Sequence, residues 1–363
     1  MSGTPSIEID GLCVAYGDAV AVDRVAFSIQ QGELATLLGP SGCGKTTTLR
    51  AIAGLEDPTT GVIRLNGDTV FDSARRINVP AERRGLSMVF QSYAIWPHMT
   101  VAENVAYGLK VRRRPRAEID SNVKRALDLV QMSAFGDRPA SKLSGGQQQR
   151  VAVARAIAFS PSVLLFDEPL SNLDAKLRTE MRVELRELQQ RLEITSVYVT
   201  HDQEEALAIS DHVIVMNQGR IEQIDAPEVL YNRPASLFVA DFVGAANLIE
   251  GTVRQTGPVS VFETRGGQVL RVATPRSVTG SETILALRSS HVSLQTEPSA
   301  AAGDANVATG TVHRRMFHGD FVQYVIDWPA GQLLVRRPPT EMIAEGAAVS
   351  IMFLPEHCVL LGR

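Results

Sequence analysis

The chain has 363 residues with 36 basic and 40 acidic side chains, a formal net charge of −4. It is too long for one ordinary hydrophobic core and lacks the basic excess of a nucleic-acid binder. At 44% hydrophobic and 21% charged residues it reads as globular rather than disordered. Its three cysteines, Cys13, Cys43 and Cys358, lie far apart, which argues against a disulfide framework or a cysteine-rich zinc site. No apolar run approaches the roughly 18 residues needed to cross a bilayer. The first residues, Met1 to Pro5, carry neither the basic nor the apolar region of a secretory signal. The expectation is a soluble, cytoplasmic chain whose membrane role, if any, comes through a partner.

In chain order, Glu33 to Leu38 is an apolar run that predicts a buried strand, and Thr46 to Leu55 predicts a helix entered from the intervening loop. That loop, Gly39-Pro40-Ser41-Gly42-Cys43-Gly44-Lys45-Thr46, fits the spacing G-x-x-x-x-G-K-[ST]. Glycines let the backbone wrap a phosphate, and the helix N-terminus turns its amides and its dipole toward the anion. Lys45 is expected to reach the β- and γ-phosphates of a nucleotide and Thr46 to hold Mg²⁺, with Thr47 in the same first turn. Cys43 sits inside the loop and reads first as a small filler. A thiol exposed there would be alkylated readily and shielded by ATP.

Val163 to Phe166 predicts a second buried strand, ending in Asp167 and Glu168. Two carboxylates at a buried strand end are costly unless they meet a cation. Asp167 is thus a Mg²⁺ ligand candidate, and Glu168, pointing the other way, a general base for an attacking water. Further strands are predicted at 196–200 and 213–216, and apolar residues at 177, 181, 185, 188 and 192 predict an amphipathic helix. Strands alternating with helices imply a mostly parallel sheet covered on both faces.

Between these elements stands Leu143-Ser144-Gly145-Gly146-Gln147. Ser144 is a helix cap and the two glycines bare the first amides, giving a second anion-seeking helix end. Here the sequence resembles the ATP-binding cassette (ABC) ATPases, over about residues 6 to 240. The resemblance implies an α/β P-loop NTPase fold with a helical subdomain at about 92–160. It implies Tyr16 stacking on adenine and Ser144, Gly145, Gly146 and Gln147 closing over ATP held by the other subunit. Gln91 would touch the metal and the attacking water, Asp174 would lie in the loop passing between subunits, and His201 would contact the γ-phosphate. Gln91, Glu168 and His201 are thereby the catalytic candidates, and Thr46, Gln91 and Asp167 the metal candidates. One phosphate loop and one signature per chain imply a dimer of cassettes, simplest as a homodimer. The segment 91–109 resembles the part of sugar, polyamine and ferric-iron importer ATPases that receives the permease's coupling helix, with Trp96, Pro97 and Met99 as its apolar contacts. Arg112 to Arg116 reads as a solvated loop between helices.

After about Asp241 the texture changes to short alternating strands, at 259–263, 269–273, 283–288, 321–327, 333–336 and 349–354, as in a small barrel or sandwich. A linker is expected around 297–304. The expected domains are therefore 1–241 and 242–363. The second resembles the all-β, OB-like, TOBE-type accessory domain of such importer ATPases, with Ser289 and Ser290 standing where members often carry Pro and Glu. The resemblance implies a peripheral subunit at the cytoplasmic face of the membrane that uses ATP and Mg²⁺. Its implied partners are a permease and, through it, a solute-binding protein, with no nucleic acid. Among solutes ferric iron ranks ahead of polyamines and sugars. The competing class, a soluble ABC ATPase acting on nucleic acid, usually has two cassettes or a long coiled coil, and neither occurs here.

Overall fold

A computed structural model describes residues 4–273, 282–297, 303–340 and 342–362. The chain packs as two compact units, 1–227 and 228–363.

The first unit runs β1 (Ile7–Tyr16), β2 (Ala19–Ile29), β3 (Leu34–Leu38), α1 (Lys45–Ala53), β4 (Thr60–Leu65), β5 (Asp68–Asp72), β6 (Ile77–Asn78) and β7 (Leu86–Val89). It continues through α2 (Val101–Val111), α3 (Arg116–Leu129), α4 (Gly145–Ile157), β8 (Val163–Asp167), α5 (Ala175–Leu192), β9 (Thr195–Thr200), α6 (Gln203–Ile209), β10 (His212–Asn217) and β11 (Arg220–Asp225). Its central sheet has the order β11-β10-β3-β9-β8-β7, parallel except for β11.

Why these runs are strands follows from where alternate side chains go. Val163, Leu165, Val197 and Val199 face a core shared with Leu49 and Ile52 of α1. Leu164, Phe166 and Tyr198 face the other way, into a core with the α2–α5 side chains. Both faces are thus dry, so β3, β8 and β9 are buried along their whole length rather than at alternate residues.

A second, antiparallel sheet, β2-β1-β4-β5-β6, accompanies it. The sequence reading did not anticipate it. Its strands mix buried and exposed positions and β1 carries irregular register, so their pattern is weak. β5 and β6 pair as a hairpin at the edge of this sheet. α5 begins at Ala175, where the Asp174 side chain accepts the Leu177 amide at 3.0 Å. Residues 112–115 are exposed between α2 and α3, as expected for a solvated loop, and the exposed Arg116 opens α3.

The second unit opens with α7 (Pro227–Asn232) and α8 (Leu237–Phe242), followed by β12 (Ala246–Gln255), β13 (Ser260–Thr264), β14 (Val269–Val272) and β15 (Thr283–Arg288). β16 (Ser293–Gln295), β17 (Asn306–Phe317), β18 (Val322–Trp328), β19 (Gly331–Arg337), β20 (Ala348–Phe353) and β21 (Cys358–Gly362) complete it. Two five-stranded antiparallel sheets, β14-β13-β12-β15-β21 and β16-β20-β17-β18-β19, close on one core around Phe262, Leu285, Tyr324 and Ile351. α8 packs on the first of them through Ala240 against Ala286 and Leu361. β12, β16, β17 and β21 were not read from the sequence. The linker expected at 297–304 lies in part, at 298–302, outside the described residues.

Candidate functional site

The parallel strands β3, β8 and β9 all point their C-terminal ends to one edge, where open α/β sheets hold their ligands. Each contributes one piece. After β3 the loop 39–44 turns into α1. Gly44 has φ 101°, and a Cβ there would lie 2.5 Å from the Ala21 carbonyl, so only glycine fits. No side chain caps α1 and no acidic residue occupies its first turn, which leaves the first amides for an anion.

Lys45 is only 5% exposed, and its Nζ donates to the carbonyls of Gly39 at 2.7 Å and Pro40 at 2.9 Å. The ammonium is thus held at the mouth of the loop by neutral acceptors, which a phosphate can replace with stronger charge-assisted bonds. Cys43 is the small filler of its first reading, and the exposed-thiol alternative does not hold. The residue is 3% exposed, its Sγ lies under the Lys45 ammonium at 3.8 Å, and burial pushes its pKa up. The thiol fills the loop from inside and is neither accessible nor activated.

At the end of β8, Asp167 is 5% exposed. It accepts the Thr46 hydroxyl at 3.0 Å and faces the Arg50 guanidinium at 3.6 Å. A hydroxyl and one carboxylate beside a phosphate cradle are the hard oxygen donors that suit Mg²⁺, which takes its remaining ligands from phosphates and water. The residues present fit that ion. Glu168 leaves the strand with φ 45°, its amide bonded to the Val199 carbonyl at 3.1 Å. This swings its carboxylate to the His201 ring, where Oε2 stands 3.2 Å from Nδ1.

His201 follows β9 and is supported from below. Thr200 donates from Oγ1 to Glu205 at 2.8 Å and accepts the Asp202 amide at 2.9 Å, and the buried Tyr198 hydroxyl donates to the same Glu205 carboxylate at 3.1 Å. Burial, opposed by the Thr200 hydrogen bond, raises the pKa of Glu205. Arg178 of α5 donates to the Leu173 carbonyl at 3.0 Å and faces Asp202 and Glu205, each at 3.8 Å. The sequence reading missed this layer. A charged side chain on a polar helix face carries no signal that it will turn inward.

Tyr16, at the end of β1, is 51% exposed. Partial burial and a hydrogen bond to Glu56 raise the pKa of its phenol, and its other side-chain partner is Thr47 in the first turn of α1. The ring therefore stands beside the phosphate loop, available for stacking. On α4, Ser144 and Gln147 form a reciprocal capping box, with the Gln147 amide on Ser144 Oγ at 3.4 Å and the Ser144 amide on Gln147 Oε1 at 3.1 Å. Gly146 packs against Leu177, whose side chain would have to shift for a Cβ that lay 2.8 Å from it. Gln91 is exposed, and Asn172 holds its carbonyl at 2.8 Å, which joins the glutamine segment to the loop before Asp174.

The geometry has sequence counterparts in known proteins. Residues 22–171 match the ABC transporter family and residues 285–361 the TOBE domain. A Fe(3+) ions import ATP-binding protein of Brucella abortus is 46% identical over 99% of this chain and 98% of its own length. A spermidine/putrescine import ATP-binding protein of Rubrobacter xylanophilus is 44% identical over 98% of this chain and 94% of its own. The chain belongs to the ABC transporter ATP-binding subunits. Among solved structures, cbiO1 of Clostridium perfringens, part of the ABC transporter complex cbiONQ, superposes with a TM-score of 0.58 at 28% identity. It covers 63% of this chain and 91% of that one.

As an ABC importer ATP-binding subunit, and so an ATPase, the chain carries its cassette fold in the first unit and a TOBE-type all-β fold in the second. The Thr46–Asp167 and Glu168–His201 contacts bring four of the expected site residues together at the edge of one ABC sheet. Among the described residues no helix is long and apolar enough to cross a membrane.

Proposed function

We propose that this subunit is the motor of an importer, working as a homodimer that clamps two Mg-ATP and docks at the cytoplasmic face of the membrane on permease subunits. The observation that carries the reading is the Glu168 carboxylate held 3.2 Å from His201 beside the Thr46–Asp167 pair. In this reading the amides of α1 and the Lys45 ammonium hold the β- and γ-phosphates, and Tyr16 stacks on the base. Mg²⁺ held by Thr46, Asp167 and Gln91 would neutralise phosphate charge. Glu168 takes a proton from the water as its oxygen bonds to the γ-phosphorus. The bond from that phosphorus to the bridging oxygen breaks, leaving ADP and phosphate. His201 holds Glu168 in place and meets the γ-phosphate. The bared amides of Gly145 and Gly146 at the start of α4, with the capping pair Ser144 and Gln147 beside them, close on the ATP of the other subunit, and the loop at Asp174 lies between the two copies. Loss of phosphate removes the charge that both helix ends face, and the dimer reopens.

Ferric iron is the proposed cargo, received by the permease from a solute-binding protein. The support is the 46% identity over 99% of the chain to the ferric-ion protein of Brucella abortus, although a polyamine protein of Pseudomonas aeruginosa is equally identical over 91% of it. The polyamine relatives of Rubrobacter xylanophilus and Pseudomonas aeruginosa make spermidine the second reading. Uptake of radiolabelled ferric iron and of radiolabelled spermidine in a deletion strain, complemented with wild type or Glu168→Gln, decides. Loss of iron uptake alone supports the first reading, loss of spermidine uptake alone supports the second, and loss of neither rejects both.

A further inference from the structure

The turn after Gln91 is held in an uncommon conformation. Tyr93 and Ala94 are consecutive non-glycine residues with φ 60° and 48°, where Cβ crowds the backbone. One side chain from α4 answers both. Arg155 donates from Nη2 to the Tyr93 carbonyl at 2.7 Å and from Nη1 to the Ala94 carbonyl at 2.5 Å. The same guanidinium lies over the Trp96 ring, 4.9 Å from its centroid, and Trp96 packs on Tyr107 at 4.1 Å. From the far side the fully buried Asn104 accepts the Trp96 amide at 2.9 Å and donates to the Trp96 carbonyl at 3.1 Å. Ala94, Pro97 and His98 remain exposed on the outside of this knuckle.

We propose that Arg155 is a positioning residue that locks the 92–96 turn to the helix opened by Ser144, fixing the surface of Ala94, Pro97 and His98 that meets the membrane subunits. The last clause rests on the docking reading above; the lock itself does not. Only a planar fork does this work, because two carbonyls and a ring face are engaged at once, and the point charge of lysine cannot reproduce it. The helix that bears the ATP-facing signature therefore carries, near its other end, the clamp on the segment that faces the permease.

Hydrogen exchange on the full chain tests the lock. In Arg155→Lys the amides of 92–96 should exchange about tenfold faster while those of β8 and β9 stay unchanged. Adding Ala94→Gly to that variant should recover part of the protection, since glycine takes a left-handed φ without steric cost. Unchanged exchange at 92–96, or a uniform rise across the first unit that Ala94→Gly does not reverse, overturns the proposal. Binding to urea-stripped membrane vesicles of the native host tests the surface. Wild type should bind saturably and Arg155→Lys about tenfold more weakly, with Mg-ATP affinity unchanged within about twofold. Equal binding overturns Arg155's role in docking. Absence of wild-type binding rejects the docking reading, while the exchange data still judge the lock.

Discussion

Glu168 Oε2 and His201 Nδ1 stand 3.2 Å apart although 33 residues separate them in the chain. The contact exists because β8 and β9 are parallel neighbours, Asp167 pairing with Val199, so that both residues leave the sheet at the same edge. Glu168→Gln should keep ATP bound and slow turnover by about 10²–10⁴-fold, the usual share of a general base. Steady-state ATPase beside equilibrium nucleotide binding checks it; near-normal hydrolysis would remove Glu168 from that role.

Lys45 acts earlier, in binding. A hydrogen bond to a charged group contributes about 1.5–3 kcal/mol, so Lys45→Ala should weaken Mg-ATP binding about 10- to 100-fold. Titration with a fluorescent ATP analogue gives the number. Unchanged affinity would mean that the ammonium stays on the Gly39 and Pro40 carbonyls throughout.

The buried thiols make a third prediction. Cys43 is enclosed by its loop, and burial pushes the pKa of Cys358 up to about 12. Cys13 is partly exposed. Native iodoacetamide labelling followed by peptide mapping should find Cys13 modified first. Cys43 should be slow with or without Mg-ATP. Rapid, ATP-protected labelling of Cys43 would restore the accessible thiol that the sequence alone suggested.

His291 supplies a pH dependence in the second unit. Burial, the His357 ring at 4.2 Å and the charge of Arg288 lower its pKa below 6.5, and Tyr231 meets it edge-on at 6.3 Å. The folded unit then binds this proton less readily than the unfolded chain does. Stability is fully present above the unfolded value of 6.5 and is lost as pH falls below it. Replacing the ring by phenylalanine keeps the stack and removes the charge. His291→Phe should therefore flatten the fall in melting temperature on acidification. A wild-type slope no steeper than the variant's would refute the assignment.

The local parts of the site were legible because their chemistry is consecutive. The glycine loop, the Ser144 cap and the strand-end carboxylates each lie within about one turn of an element. Asp174 was expected in the loop passing between subunits; within one chain its contact is the cap on α5. What sequence could not give depends on distant partners. β1 pairs with β4 across a long gap and through irregular register, so neither strand announces the second sheet. Arg155 and Arg178 lie on polar helix faces, yet Arg155 turns onto carbonyls of a loop about sixty residues away, and Arg178 faces Asp202 and Glu205 beyond the next strand. The alternative of an exposed Cys43 came from the openness a glycine loop suggests, whereas Lys45 closes over the thiol.

The claim at the centre is that ATP joins two copies of this subunit by bridging the first turn of α1 in one to the first turn of α4 in the other. Light scattering of purified Glu168→Gln, with and without saturating Mg-ATP, measures it most directly. Nucleotide-dependent doubling of the mass, lost again in a Ser144→Arg variant, is the predicted result. A monomer at saturating Mg-ATP, in the free subunit and in the presence of its membrane partners, would contradict it.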